Sequence, residues 1–161
     1  MKKLSFLVKL YKKGVIKVVA PSDEIRDSYF SKSESYLDSA KILIKENKLE
    51  ETVSLLYYSM YYSLLGLLFE IGIKSENHIA SIELLSSVFG IDPKEIVFAR
   101  RERINKQYYV DFKISKDDVD KLVKIAEDFS SKIQDYSSKL TSSKIGELRK
   151  TFTKWLNSVQ L

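Results

Sequence analysis

Hydrophobic positions recur with a helical period along most of the chain, and one segment departs from that pattern by being apolar all round. From Thr52 to Phe69 the sequence TVSLLYYSMYYSLLGLLF carries no charge, and acids flank it at Glu50, Glu51 and Glu70. Leu, Met and Tyr fall on every side of a helical wheel, interrupted only by Ser54, Ser59, Ser63 and Gly66. A helix with no polar face has to be wrapped by other helices or by lipid. Its length would suffice for a membrane span. Its chemistry points to protein instead, because the Tyr and Ser hydroxyls need partners when buried and neither end carries Lys or Arg. The segment is therefore expected to be the central helix of a soluble bundle.

The other elements arrange themselves around it. Leu4, Leu7, Val8 and Tyr11 recur at helical spacing, Gly14 stands where a helix would end, and Val15 to Val19 reads as a short extended segment. A second helix is expected with Pro21 in its first turn, Asp23 and Glu24 complementing its dipole, and a buried stripe of Ile25, Tyr29, Tyr36, Leu37, Ala40 and Leu43 or Ile44. The break at Asn47-Lys48 is too short for anything but an antiparallel hairpin into the central helix. Ile73 to Asn77 reads as a polar loop, and His78 opens a helix whose core residues are Ile79, Ile82, Leu85 and Phe89, ended by Gly90. Asp92 as N-cap and Pro93 as first residue start the next helix, which runs to about Tyr109. Val110 to Ile114 is a loop. Ser115-Lys116-Asp117-Asp118 then opens a helix with a near capping box and a stripe of Val119, Leu122, Val123, Ala126, Phe129 and Ile133. A polar tract from Ser137 to Ser143 precedes a last helix, Lys144 to Val159, with Ile145, Leu148, Phe152, Trp155 and Leu156 on one side.

The pattern describes an all-α protein, an up-and-down bundle of four to five helices with additions at both ends. A chain of 161 residues suits one domain. It divides into a basic arm at 1–20 packed on the bundle, the bundle itself at 21–137, and a C-terminal helix at 138–161. Five Gly and two Pro argue against an all-β fold rich in tight turns. The absence of Cys excludes a disulfide framework or thiolate metal site, and the single His excludes a His-rich one. No Gly-rich phosphate loop, nucleophile elbow, zinc signature or recognisable carboxylate pair is present, so neither cofactor nor metal is expected. A net charge of +5 and a pI near 9.2 suit an anionic partner.

Arginine usage narrows the candidates. Of 27 Lys and Arg residues only five are Arg, and three of these stand together at Arg100, Arg101 and Arg103. A Lys-rich chain that turns to Arg over four residues has a use for the planar guanidinium, which grips carboxylates and phosphates with two hydrogen bonds and stacks on rings. On a wheel, Val97, Ile104 and Tyr108 form the inward edge, with Arg100, Arg103 and Gln107 on one flank and Arg101 and Asn105 on the other. Two readings are open: ion pairs with Glu95, Glu102 or a neighbouring helix, or an anion-binding groove in which Tyr108 and Tyr109 stack or hydrogen-bond. Tyr57/Tyr61 and Tyr58/Tyr62 are i,i+4 pairs that either pack in the core or line a cleft shared with the arginines. His78 either caps and packs a helix start or takes part in a site.

These residues also carry a family resemblance. YYSMYYSLLGLLFEIGIKSENH (Tyr57 to His78) is similar to the pattern Tyr-Tyr-x-Met-Phe-His-x-x-x-x-Leu-Leu, a Gly-containing loop and His, of HEPN domains (higher eukaryotes and prokaryotes nucleotide-binding). RINKQY (Arg103 to Tyr108) resembles the Arg-x-x-x-Asp-Tyr of stand-alone prokaryotic members, and the Pro-Ser-Asp-Glu-Ile entry and ISKDDVDKLVKIAEDF also look like theirs. The resemblance runs from about Lys3 to Ile133. It implies a small helical bundle, usually a homodimer, often encoded with a minimal nucleotidyltransferase. Some members are toxin ribonucleases, with an Arg followed after four to six residues by His, paired across the dimer. Here the positions of that His are occupied by residues from Asn105, Lys106, Gln107, Tyr108, Tyr109 and Val110, none of which titrates as imidazole does. The family's His in the central helix is Tyr62.

The expectation is thus a non-catalytic HEPN-type protein that binds a nucleotide or RNA phosphate through Arg100, Arg101, Arg103, Asn105, Tyr108 and His78. It would act as a homodimer, as substrate-binding subunit or toxin-side partner of a nucleotidyltransferase. A metal-independent ribonuclease using His78 or Tyr108 and a purely structural dimerisation module are the rivals. Richness in Lys, Ile and Tyr without Cys suggests a prokaryotic cytoplasm, with no membrane partner.

Overall fold

The computed structural model of the protein describes residues 2–158. In chain order it comprises α1 (Lys2–Lys12), β1 (Ile16–Val18), α2 (Asp23–Lys45), α3 (Leu49–Glu70), β2 (Ile73–Ser75), α4 (His78–Phe89), α5 (Lys94–Tyr108), α6 (Lys116–Ser138) and α7 (Ser142–Ser158). The fold is an all-α bundle built on α3, with α2, α4, α5 and α6 packed around it. Val53, Leu56, Tyr57, Met60, Leu64, Leu67 and Leu68 of α3 are completely buried. Although α3 is long and apolar enough to cross a membrane, most of it lies inside the protein.

Local chemistry explains where the helices begin and end. The hydroxyl of Ser22, in extended backbone, accepts from the Ile25 amide at 3.1 Å and caps α2, so Pro21 lies before the helix and not in its first turn. The α2–α3 hairpin turns at Asn47, which adopts a φ of 56°. Pro93, not Asp92, occupies the boundary of α5, and Asp92 accepts from the Lys94 amide at 3.0 Å. The Ser115–Asp118 capping box on α6 is complete.

Three further expectations are corrected. Ile25 is 40 % exposed and Ile79 is 52 % exposed. In α2, Phe30 faces α3 against Gly66, where a Cβ would come within 2.7 Å of its ring. In α4, Ala80, Ser81 and Leu84 take the inward positions beside Ile79. The third correction is Ile73 to Asn77, which is not a polar loop throughout. Ile73–Ser75 pairs antiparallel with β1, in the register Ile16↔Ser75. Ile16 and Ile73 are buried by this pairing, and the two strands lie more than fifty residues apart in the chain, beyond the reach of any local pattern.

The chain ends pack together. Leu7 and Val8 of α1 and Phe152 and Leu156 of α7 are buried, while Lys9, Lys12, Lys13 and Lys17 face solvent. The expected contributions of Leu4 and Val159 fall outside the described side chains. Arg149 of α7 donates from Nη1 to the carbonyls of Val19 and Ile71, fastening α7 to the turn after α3. Glu70, at the end of α3, is a buried carboxylate satisfied by Arg26 of α2 at 2.9 Å and by the Ser137 hydroxyl of α6 at 2.6 Å.

Candidate phosphate-binding site at the arginine helix

α5 presents a different face to the core from the one its wheel suggests. Ile96 and Ala99 are its buried residues, whereas Val97 is 49 % and Tyr108 72 % exposed. The helix is therefore turned by about one residue, or roughly 100°. That rotation decides which arginines reach the bundle. Arg100 and Arg103, one turn apart, come half-buried against α3. The Arg103 guanidinium lies 4.9 Å from the Tyr58 ring centre and 5.5 Å from that of Tyr57, within cation–π range.

Arg101 goes elsewhere. It packs 5.3 Å from the Phe98 ring and 3.8 Å from Glu102, with its side chain two-thirds exposed. Tyr108 is largely exposed to solvent, and Asn105 is half-buried on α5. The ion-pair reading fails for the inward pair: Glu95 is taken by Lys132 at 2.8 Å, and among the described residues no carboxylate lies within ion-pair distance of Arg100 or Arg103.

His78 joins them from α4. Asn77 caps that helix through the Ala80 amide at 2.9 Å, which fixes His78 as its first residue. The imidazole stacks on Tyr61 at 4.1 Å with an interplanar angle of 9°. Its Nδ1 lies 2.6 Å from the Tyr57 hydroxyl. Burial lowers the His78 pKa, and the charges of Arg103 and Arg100 lower it further. Burial raises the Tyr57 pKa strongly, Tyr61 adds to the rise, and the two arginines oppose it. Both shifts favour the uncharged forms of the two groups. With the phenol as donor to Nδ1, the imidazole proton sits on Nε2 and His78 offers a neutral N–H.

Sequence reasoning placed His78, Arg100 and Arg103 among the candidates but could not show that they meet. Tyr57, Tyr58 and Tyr61, whose i,i+4 spacing left core packing and a cleft shared with the arginines both open, lie beside Arg103 and His78. The cluster combines two guanidinium groups without a carboxylate partner among the described residues, an imidazole whose pKa is lowered, and aromatic faces. Those groups suit a phosphate with an attached ring system.

A family model described as the HEPN domain matches residues 27–136, well over half of the chain. The chain belongs to the HEPN domain family. No curated protein matches it. The matched HEPN segment takes in nearly all of α2 and continues into α6, and it contains every residue of the cluster, leaving α1, β1 and α7 outside. Membership agrees with the helical bundle and carries a nucleotide- or RNA-related function.

Proposed function

We propose that this HEPN protein binds a nucleotide or RNA phosphate without cleaving it, through Arg100 and Arg103 with the His78 Nε2–H as a third donor. The observation that carries this reading is the half-buried Arg103 guanidinium held over Tyr57 and Tyr58 with Arg100 one turn away, neither having an ion-paired carboxylate among the described residues. Non-catalytic binding follows from the His78 environment. Its lowered pKa and its bond to Tyr57 leave no imidazolium to act as general acid and no vacant Nδ1 to act as base. The protein would work in a prokaryotic cytoplasm, as substrate-binding or toxin-side partner of a minimal nucleotidyltransferase. Val97, Phe98, Tyr109 and Val110, exposed along and beyond α5, suit contact with a second copy.

The test is equilibrium binding of a labelled RNA and of AMP to the wild type and to Arg103→Ala. Loss of a charge-assisted contact should weaken binding about tenfold to a hundredfold. For single-stranded RNA held by two arginines, log K should fall against log salt with a slope of about −1.4. Binding that is indifferent to salt and to Arg103→Ala would overturn the reading.

A second reading, a metal-independent ribonuclease, draws on the same observation that His78 lies with Arg103 and a tyrosine. Incubation of purified protein with RNA decides it: cleavage that disappears in Arg103→Ala and His78→Ala would replace the binding reading.

A further inference from the structure

The arginine cluster does not end at Tyr58. Tyr62, one turn further along α3, stacks on Tyr58 with ring centres 6.0 Å apart. Lys32 of α2 places its ammonium 4.4 Å from the Tyr62 ring centre. Tyr36, one turn along α2, meets Tyr62 edge-on at 5.0 Å and Tyr58 at 6.3 Å. All three tyrosines are half-buried, so each keeps part of its surface in solvent, and Lys32 is exposed. α3 thus supplies a floor of two successive rings. One cation comes over the first ring from α5 and another over the second from α2.

A mononucleotide can use only one of these positions. Two cations spaced along a pair of rings match a ligand with repeating phosphates and repeating flat groups. Single-stranded nucleic acid has that chemistry, with a charged backbone that tracks basic groups and bases that stack on aromatic faces. An acidic peptide would satisfy the cations but would leave the rings without planar partners. A duplex keeps its bases stacked on each other and out of reach.

We infer that the protein binds a single-stranded polynucleotide, with one phosphate at Arg103 and Arg100 and a neighbouring one at Lys32, and with bases against Tyr58 and Tyr62. This rests on the proposed phosphate site at Arg103 and extends it to a second position on α2. Selectivity for length follows: a mononucleotide reaches one cation and ring, whereas a longer strand reaches both.

The test measures affinities for AMP, a dinucleotide, a tetranucleotide and an octanucleotide, the last three as both RNA and DNA, on wild type, Lys32→Gln, Tyr62→Leu and Arg103→Ala. Wild type should bind the tetranucleotide and octanucleotide much more tightly than AMP. Tyr62→Leu should weaken octanucleotide binding about fivefold or more while sparing AMP. Lys32→Gln, at an exposed position whose loss does not threaten folding, should do the same and flatten the salt slope by about 0.7. Equal RNA and DNA affinities would assign recognition to backbone and rings, and an RNA preference would add the 2′-hydroxyl; both sustain the inference. If AMP binds as tightly as the octanucleotide, and Lys32→Gln changes nothing while Arg103→Ala abolishes binding, the extension is wrong and the arginine site stands. If nothing binds in a salt-dependent way, both fall.

Discussion

The hydrogen bond between Tyr57 and His78 ties the imidazole to the central helix through Nδ1, and Tyr57→Phe isolates its effect. The substitution deletes one hydroxyl from a fully buried side chain and leaves the ring in place against Tyr61, 6.0 Å away at 16°, and beside His78. The loss is therefore one hydrogen bond of 2.6 Å plus the desolvation of a half-buried Nδ1 left without its donor. Together these amount to about 1–2 kcal/mol. For a chain of this size the melting temperature should fall by roughly 2–8 °C. Tyr57→Ala, which also empties the ring's volume, should cost about 3–5 kcal/mol, so the two variants separate packing from hydrogen bonding. The hydroxyl stabilises only the neutral imidazole, so its removal should also raise the His78 pKa. Nitrogen-15 NMR of the single His reports that pKa together with the tautomer. Wild type should show the proton on Nε2, and Tyr57→Phe a mixture. The linkage to stability has a definite sign. In the folded state His78 takes up its proton at lower pH than in the unfolded chain, so the unfolded state binds more protons just below the ordinary His value. Stability should be full above about pH 6.5, decline as pH falls below it, and level off once folded His78 is protonated too. A wild-type Nδ1–H tautomer, or an unchanged imidazole in Tyr57→Phe, would refute the assignment of His78 as a neutral donor.

Two further substitutions probe the frame that holds the site. Glu70→Ala removes the acceptor shared by Arg26 and Ser137; because Arg26 keeps Asp23 at 3.0 Å and Asp27 at 2.8 Å, the cost should be about 2–3 kcal/mol by urea unfolding, at the low end for a broken buried pair. Gly72→Ala combines a φ of +74° with a Cβ that would lie 2.3 Å from the Val19 carbonyl and collide with the Arg149 guanidinium, so a loss of about 2–4 kcal/mol is expected in thermal melts, whereas Gly90→Ala, where the space around the Cβ is open, should cost less.

What was legible in the sequence follows from the range of the forces involved. Helices are specified locally, and the bundle, the α6 capping box and the central role of α3 could all be read from period and caps. The β1–β2 pair could not, since Ile16 and Ser75 meet only in three dimensions. The orientation of α5 was misread because its apolar residues are sparse: Val97, Ile104 and Tyr108 make as good a stripe on paper as Ile96 and Ala99. In the fold the small Ala99 is fully buried and the Arg103 guanidinium lies over the Tyr58 and Tyr57 rings, contacts that a wheel of α5 alone does not show. Glu70 reads as the polar end of an apolar run, and only its partners on α2 and α6 show why a carboxylate is buried there.

The same reasoning explains how a chain lacking the motif histidine still places an imidazole beside its arginines. The inward rotation of α5 carries Arg103 toward the start of α4, where Asn77 holds His78 in register. The His so delivered differs from a catalytic one. It is stacked on Tyr61, bonded at Nδ1 to a phenol, and held neutral by burial and by the arginines themselves. Those features suit a donor to a bound phosphate oxygen and oppose the proton cycling that cleavage requires. Tyr62 acts in the same direction, since its phenol, raised to about 12 by burial and by Tyr36, cannot ionise near neutral pH. Under the proposed binding reading, a nucleic-acid strand would lie over these tyrosines beside an imidazole that burial and the arginines keep uncharged.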